Sequence, residues 1–150
     1  MTPEPGLPPQ VYGLLTELVA DGFTAICCGP KEAPHALVAS YAWAGWVDLV
    51  TVRDFRRACS ARVPVPEWGT VDVFAPELVV WAYEGPAEGA LRALLGLVHP
   101  EHPDAPRLAY PAPASLHVPR AEQRPASIRP PSPGRAGRRA RRLRAALEDR

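Results

Sequence analysis

Apolar side chains recur at helical spacing in two segments of the first hundred residues. The first pattern begins near Pro9, a residue that suits the first turn of a helix, and stops at Gly22. The second begins after Pro86 and stops before His99. The sequence therefore predicts two amphipathic helices, whose apolar positions are Val11, Leu14, Leu15, Leu18 and Val19 in the first and Ala90, Leu91, Leu94, Leu95 and Val98 in the second.

Short segments rich in β-branched and aromatic residues follow the first helix. Residues 23–28 are an apolar run closed by Gly29, which predicts a buried strand. Residues 36–43 and 46–53 are two arms separated by Ala44-Gly45, a break that predicts a β-hairpin. In the first arm the large side chains alternate onto one face, so they are expected to line the core.

Two further segments extend this set of strands. Residues 57–63 predict a third strand with Ser60 and Arg62 facing outward, and Pro64 after it favours an edge position. Residues 77–84 fit either a strand or a helix, and their β-branched and aromatic content favours a strand.

The order of these elements indicates the fold class. Consecutive strands lie close together along the chain, as in antiparallel sheets, and a helix lies at each end of the series. We predict an α+β domain over residues 9–106, with a small antiparallel sheet covered on one face by two amphipathic helices. Residues 1–8 are expected to be a disordered N-terminal segment.

The C-terminal third has a different composition. Prolines recur from Pro111 to Pro133 and interrupt any helix or ladder. Residues 107–118 are expected to be an extended strap, open to docking on the body through its scattered apolar residues Leu108, Tyr110, Leu116 and Val118. Residues 119–150 are expected to be a disordered tail rich in proline and arginine, with a short basic helix over 136–147.

Charge separates the chain at about the same place. The net charge of +1 combines −7 over residues 1–106 with +8 over residues 107–150. Arginine binds phosphate and carboxylate groups through its planar fork, so the tail is predicted to contact a nucleic acid or an acidic protein. An arginine bias from GC-rich codons, giving a merely solvated tail, is the alternative. The candidate partner-binding residues are Arg135, Arg138, Arg139, Arg141, Arg142 and Arg144.

A second hypothesis places a site in the body. Cys28 and His35 are the residue types of a nucleophilic pair, with Asp48 to orient the imidazole, and Trp68 in a loop has no evident packing role. These four residues define a candidate ligand pocket for a small-molecule-binding or catalytic domain. We assign no catalytic residue, metal site or cofactor, since the common nucleotide-binding and hydrolase motifs are missing from the sequence.

The remaining features concern location. No apolar run approaches the ~20 residues that cross a bilayer. The first residues lack the pattern of a secretory signal, and three cysteines are an odd number that suits a reducing compartment. We therefore predict a small cytoplasmic bacterial interaction or regulatory protein, and the sequence leaves its oligomeric state open.

Overall fold

The computed structural model of the chain describes residues 7–148, without the side chain of Glu148, so most of the predicted N-terminal segment lies outside the described residues. The fold is α+β, with a six-stranded antiparallel sheet and three α-helices. In chain order the elements are α1 Pro9–Asp21, β1 Thr24–Cys28, β2 Ala36–Trp43, β3 Trp46–Asp54, β4 Arg57–Pro64, β5 Leu78–Val79, β6 Trp81–Gly85, α2 Ala87–Leu95, β7 Tyr110–Pro111, β8 Ala126–Arg129 and α3 Arg138–Glu148.

The main sheet has the order β6-β4-β3-β2-β1-β8, and all its strand pairs are antiparallel. The predicted hairpin is confirmed: Trp43 pairs with Trp46 across a turn in which Gly45 has a φ of +87°. The segment over 77–84 is extended, as predicted, and contributes β5 and part of β6. β5 pairs with β7 in a separate two-stranded sheet.

One face of the main sheet is covered by α1 and α2, as the amphipathic patterns predict. Leu14 and Leu18 of α1 and Leu91 and Leu94 of α2 pack on Tyr41 and neighbouring sheet residues in one apolar cluster. The predicted stop of α1 is confirmed, because Gly22 adopts a left-handed φ of +112° and its N–H returns to the Val19 carbonyl.

The other face is also covered, although the sequence predicts a one-sided sheet. Leu116 and Val118 are fully buried against the strands, and the Val118 N–H donates to the Phe74 carbonyl at 2.7 Å. The predicted strap is thus packed on the sheet at these two positions, whereas its other apolar residues, Leu108 and Tyr110, are exposed. The physical reason is in the strands: Leu49 on β3 and Ala61 on β4 face away from the helices and need a cover of their own.

Two predictions about β4 are wrong. β4 lies between β3 and β6, so Pro64 ends the strand without marking a sheet edge. Ser60 and Arg62 do not face solvent but lie beneath the helices, where the Ser60 hydroxyl donates to the Ala90 carbonyl at 2.9 Å. A polar residue in a strand was interpreted as a surface residue, but here it has a buried partner.

The structure also differs from the predicted disordered tail over 119–150. Residues 126–129 form β8, which pairs with β1, and the predicted basic helix is α3, which packs beside α1. The partners of both elements are distant in sequence, so local composition gave no sign of them. None of the helices within residues 7–148 is long and apolar enough to cross a membrane.

Candidate functional site

A buried salt bridge joins two central strands on the helix-covered face. Asp48 on β3 lies opposite Arg62 on β4, and neither side chain has appreciable exposure. The Arg62 guanidinium donates to both carboxylate oxygens, at 2.6 and 3.0 Å. The Trp43 indole also donates to Asp48, at 2.9 Å, and Arg62 donates to the Val98 carbonyl at 2.8 Å. Each buried charge is therefore met by opposite charge and by hydrogen bonds, as a dry interior requires.

Arg139 of α3 extends this salt bridge to the end of α1. Its guanidinium donates to Asp48 through Nη2 at 3.0 Å and to Asp21 through Nη1 at 3.2 Å. The Leu94 carbonyl of α2 accepts a further bond from Nη2 at 2.8 Å, and the guanidinium carbon lies 5.2 Å from the centre of the Phe23 ring. This one side chain, which is fully buried, therefore connects α3 to α1, α2 and the sheet.

Two more arginines of α3 contact the rim of this network. Arg142 donates to both oxygens of Asp21, at 3.0 and 2.7 Å. Arg144 donates to Glu101 at 3.0 Å and approaches His99, with 3.4 Å between Nη2 and Nε2. The inner arginines, Arg139, Arg142 and Arg144, are thus all paired with carboxylates outside α3.

The electrostatics of Asp21 follow from these contacts. Burial alone would raise the pKa of its carboxyl, but the hydrogen bonds and positive charges of Arg142 and Arg139 outweigh that effect and hold the pKa below its ordinary value. The hydrogen bond to Asp21 in turn raises the pKa of Arg142. The charged forms of both groups are therefore favoured in the folded protein.

His99 lies at the other side of the network, packed edge-on against Trp43 with 4.8 Å between ring centres. Its Nδ1 accepts the Glu101 backbone N–H at 3.0 Å. Burial lowers the pKa of His99, and the nearby charge of Arg144 lowers it further. The neutral imidazole is therefore the form that fits this position.

The start of α3 sits directly on the end of α1. The Ala140 N–H donates to the Tyr41 hydroxyl at 3.1 Å. A Cβ at Gly22 would lie only 2.6 Å from the Arg135 carbonyl oxygen and 2.8 Å from that of Ala136. Glycine at this position thus serves both the helix end and the close approach of α3.

The remaining arginines of α3, and Arg135 in the turn before it, have different surroundings. Arg135, Arg138 and Arg141 are exposed, and within residues 7–148 none of them forms a salt bridge. Within the described part of the chain, the guanidinium groups of Arg138 and Arg141 donate to the backbone carbonyls of Ala20 and Gly134 respectively. Arg129 of β8 is also exposed and pairs with Ala25, three residues after Gly22. We call Arg129, Arg135, Arg138 and Arg141 the outer arginines.

The four candidate pocket residues are not brought together. Cys28 is buried on the sheet face away from the helices, whereas Asp48 lies on the helix-covered face. His35 is exposed beside Gly29, and Trp68 is 83% exposed in the loop after β4. Burial raises the pKa of Cys28, which disfavours the reactive thiolate. Burial likewise raises the pKa of Cys59, to about 11.

Sequence reasoning selected Asp48 but missed most of its neighbours. Asp21 is a charged residue three positions after Leu18 on the apolar face of α1, and that signal was available. Arg62 alternates with apolar residues of β4, a pattern typical of a surface position, so its burial had no such signal. Arg139 is four residues before Leu143, on the apolar face of the helix, yet it was grouped with the other arginines. The contacts of His99 and Glu101 had no comparable signal in the sequence.

Chemically, the network is a set of matched charges rather than a reactive centre. Its carboxylates already accept hydrogen bonds from arginine, and no cysteine or serine is hydrogen-bonded to His99 within the described residues. Across residues 7–148, no group of three or more histidine, cysteine or acidic side chains is arranged to hold a metal ion. No protein-family model, curated protein or solved structure matches the chain.

Proposed function

We propose that this chain is a cytoplasmic interaction or regulatory protein that binds a polyanion, such as a nucleic acid, or an acidic protein through the outer arginines. The observation that carries this proposal is the division of the arginines. Arg139, Arg142 and Arg144 are paired with carboxylates of the body, whereas Arg135, Arg138 and Arg141 are exposed without a salt bridge inside residues 7–148.

The chemistry of the surface supports this ligand class. An exposed guanidinium offers a planar set of donors that matches phosphate and carboxylate oxygens. The buried carboxylate of Asp21 is already neutralised by Arg139 and Arg142, so it does not compete for the outer arginines. A folded strand and helix also present these charges with less loss of conformational freedom than a disordered tail would.

The alternative of a catalytic or small-molecule site receives less support from the geometry. Cys28 and Asp48 lie on opposite faces of the sheet, and Trp68 extends from a loop. A nucleophile, a base and an orienting carboxylate must lie within hydrogen-bonding reach of each other. We therefore favour binding over catalysis.

The test is fluorescence anisotropy with labelled duplex DNA, structured RNA and polyglutamate. Deleting α3 would remove Arg139 and Arg142 from Asp21 and Arg139 from Asp48, so point variants are the better tool. The test variant is Arg135→Gln with Arg138→Gln and Arg141→Gln. The matched control removes three exposed arginines elsewhere: Arg56→Gln, Arg92→Gln and Arg120→Gln.

We expect the test variant to lose at least about tenfold in affinity, while the control stays within about threefold of the parent chain. If the outer arginines contact phosphates of duplex DNA, the slope of log K against log salt becomes shallower by about 0.9 per contact removed. Equal binding by both variants, or no binding of any of the three probes by the parent chain, would refute the proposal.

A further inference from the structure

β8 is an edge strand of the main sheet: it pairs with β1, and within residues 7–148 no strand lies on its other side. All four of its residues are exposed. The Gly29 N–H donates to the Pro125 carbonyl at 2.7 Å, which identifies this as a hydrogen-bonded pair of the antiparallel ladder. Since such pairs alternate, the backbone groups of Ser127 and Arg129 face β1. Those of Ala126 and Ile128 point away from the sheet.

The outward N–H and C=O groups of Ala126 and Ile128 have no hydrogen-bond partner elsewhere in residues 7–148. An open edge of this kind can accept an added strand. Prolines 125, 130 and 131 bracket β8 and confine the open edge to four residues. Because so few hydrogen bonds are available, side-chain contacts must provide much of the affinity and all of the selectivity.

The side chains of β8 differ between the two faces of the sheet. Arg129 pairs with Ala25 and lies on the helix-covered face, on the side where Arg135 packs over Gly22. Ile128 pairs with Ile26 and lies on the opposite face, with 67% of its surface exposed. A strand added beside β8 would therefore meet positive charge on one face and an apolar side chain on the other.

Charge distinguishes between the two simplest occupants of this edge. A second copy of the chain, pairing β8 with β8, would add its own Arg129 to the same edge and no acidic side chain, because β8 consists of alanine, serine, isoleucine and arginine. Like charges brought close together repel each other and disfavour this pairing. An acidic segment would instead place carboxylates beside the outer arginines, which within residues 7–148 form no salt bridge.

We propose that β8 takes up an extended acidic segment of a partner protein as a seventh, antiparallel strand. Its carboxylates lie on the helix-covered face beside Arg129, and its alternate apolar side chains lie beside Ile128. The hydrogen bonds run between the outward groups of Ala126 and Ile128 and the backbone of the apolar residues of the segment. This inference rests on the proposed function, since the outer arginines supply the charge that selects the partner.

The test uses a labelled seven-residue peptide of alternating glutamate and valine. In the proposed register the valine N–H groups donate to β8 and the glutamate N–H groups point to solvent. We expect a peptide N-methylated at its valines to bind at least about tenfold more weakly, since it loses those donors and gains a clash. The matched peptide N-methylated at its glutamates keeps the charge and is expected to bind within about threefold of the parent.

Two protein variants complete the experiment. Ile128→Pro removes an outward N–H without removing a hydrogen bond to β1, so it should weaken peptide binding. Ile128→Thr keeps the backbone donor and should retain most of the peptide affinity. Circular dichroism of each variant reports whether the sheet is intact. The N-methylated peptides test the same hydrogen bonds on the unmodified protein, should the proline variant fail to fold.

The outcomes separate this inference from the proposed function. Equal affinities of the two N-methylated peptides for the unmodified chain would overturn strand addition, even if the test variant of the outer arginines still lost binding to polyanions. The proposed function would then stand alone. No measurable binding of the alternating peptide, alongside binding of DNA or RNA, would also overturn strand addition and identify nucleic acid as the partner class. If the test variant of the outer arginines binds both the polyanions and the alternating peptide as tightly as the parent chain does, both proposals are refuted.

Discussion

Arg139 has a guanidinium with no exposed surface, and such a group is stable in a protein interior only when its donors are satisfied. Its Nε, Nη1 and Nη2 atoms all donate to Asp48 or Asp21, and Nη2 also reaches the Leu94 carbonyl. A buried ion pair adds little stability relative to apolar packing, but removing one partner leaves an uncompensated charge. Arg139 therefore determines where α3 docks.

We expect Arg139→Ala to lower the free energy of unfolding by about 3–5 kcal/mol, because it leaves Asp21 and Asp48 with fewer partners in a dry site. Urea denaturation followed by tryptophan fluorescence measures this change. The control is Arg138→Ala, one position earlier and exposed, which should change stability by no more than about 0.5 kcal/mol. A loss below about 1 kcal/mol for Arg139→Ala would contradict the docked position of α3.

At this scale the sequence allows only part of the site to be predicted. Asp48 was selected for a different role, as the carboxylate that would orient an imidazole, and its pairing with Arg62 follows once the strand register is known. Arg139 could not be separated from Arg138 or Arg141 by residue type. Only their helical positions differ, and which side of a basic helix is buried depends on the surface it meets.

Among the elements, α1 and α3 depend on each other at a single glycine. Gly22 ends α1 in a left-handed conformation, and the carbonyls of Arg135 and Ala136 pass over it closely enough to exclude a side chain. Gly13, by contrast, lies within α1 on an exposed position with open space around its Cα. Substitution by alanine is therefore expected to change the stability of the protein in opposite directions at these two glycines.

We expect Gly22→Ala to destabilise the protein by roughly 2 kcal/mol or more, since it adds left-handed strain to a clash with the start of α3. Gly13→Ala should stabilise it by about 0.5–1 kcal/mol, because alanine favours a helix interior. Thermal unfolding of both variants measures whether each substitution lowers or raises the stability of the protein. Hydrogen exchange at the Ala140 amide would show whether Gly22→Ala loosens α3 specifically. A stabilising Gly22→Ala would be inconsistent with the close approach described for α3.

The sequence predicts the elements whose patterns are local. α1, α2 and the strands from β1 to β4 have clear periodicity or β-branched content, and all were found near the predicted positions. β8 and α3 were not recognised as parts of the fold. β8 is four residues between prolines, and α3 is a short, strongly basic helix that would be marginal alone, so both depend on surfaces formed by distant residues.

At the scale of the whole molecule, opposite charges join the C-terminal segment to the body of the protein. The segment 1–106 has a net charge of −7 and the segment 107–150 has +8. Part of this complementarity is internal, because Arg139, Arg142 and Arg144 neutralise Asp21, Asp48 and Glu101 of the body. The charge division was visible in the sequence, but it was attributed to an external partner or to a solvated tail from GC-rich codons, and not to pairing within the chain. The structure divides it between internal pairing and the outer arginines.

This charge matching makes the stability of the molecule depend on pH in two ranges. The folded pKa of His99 lies below its ordinary value of 6.5, so the unfolded chain takes up this proton first as the pH falls. Stability is therefore lost from about pH 6.5 down to the folded pKa. The folded pKa of Asp21 lies below 3.8, so its contribution is present above that pH and is lost at lower pH. The hydrogen bond from Arg57 also lowers the pKa of Asp54, so Asp54 contributes to the loss of stability in the lower pH range.

We expect urea denaturation between pH 7.5 and pH 3 to show both declines in the parent chain. His99→Gln removes the imidazole and should abolish the first decline while leaving the second. His35→Gln, which removes an exposed imidazole far from the arginine network, should retain both. If His99→Gln loses stability between pH 7 and pH 5 as steeply as the parent chain does, the first decline does not come from His99. The charge of Arg144 beside a protonated imidazole would then cost the fold little.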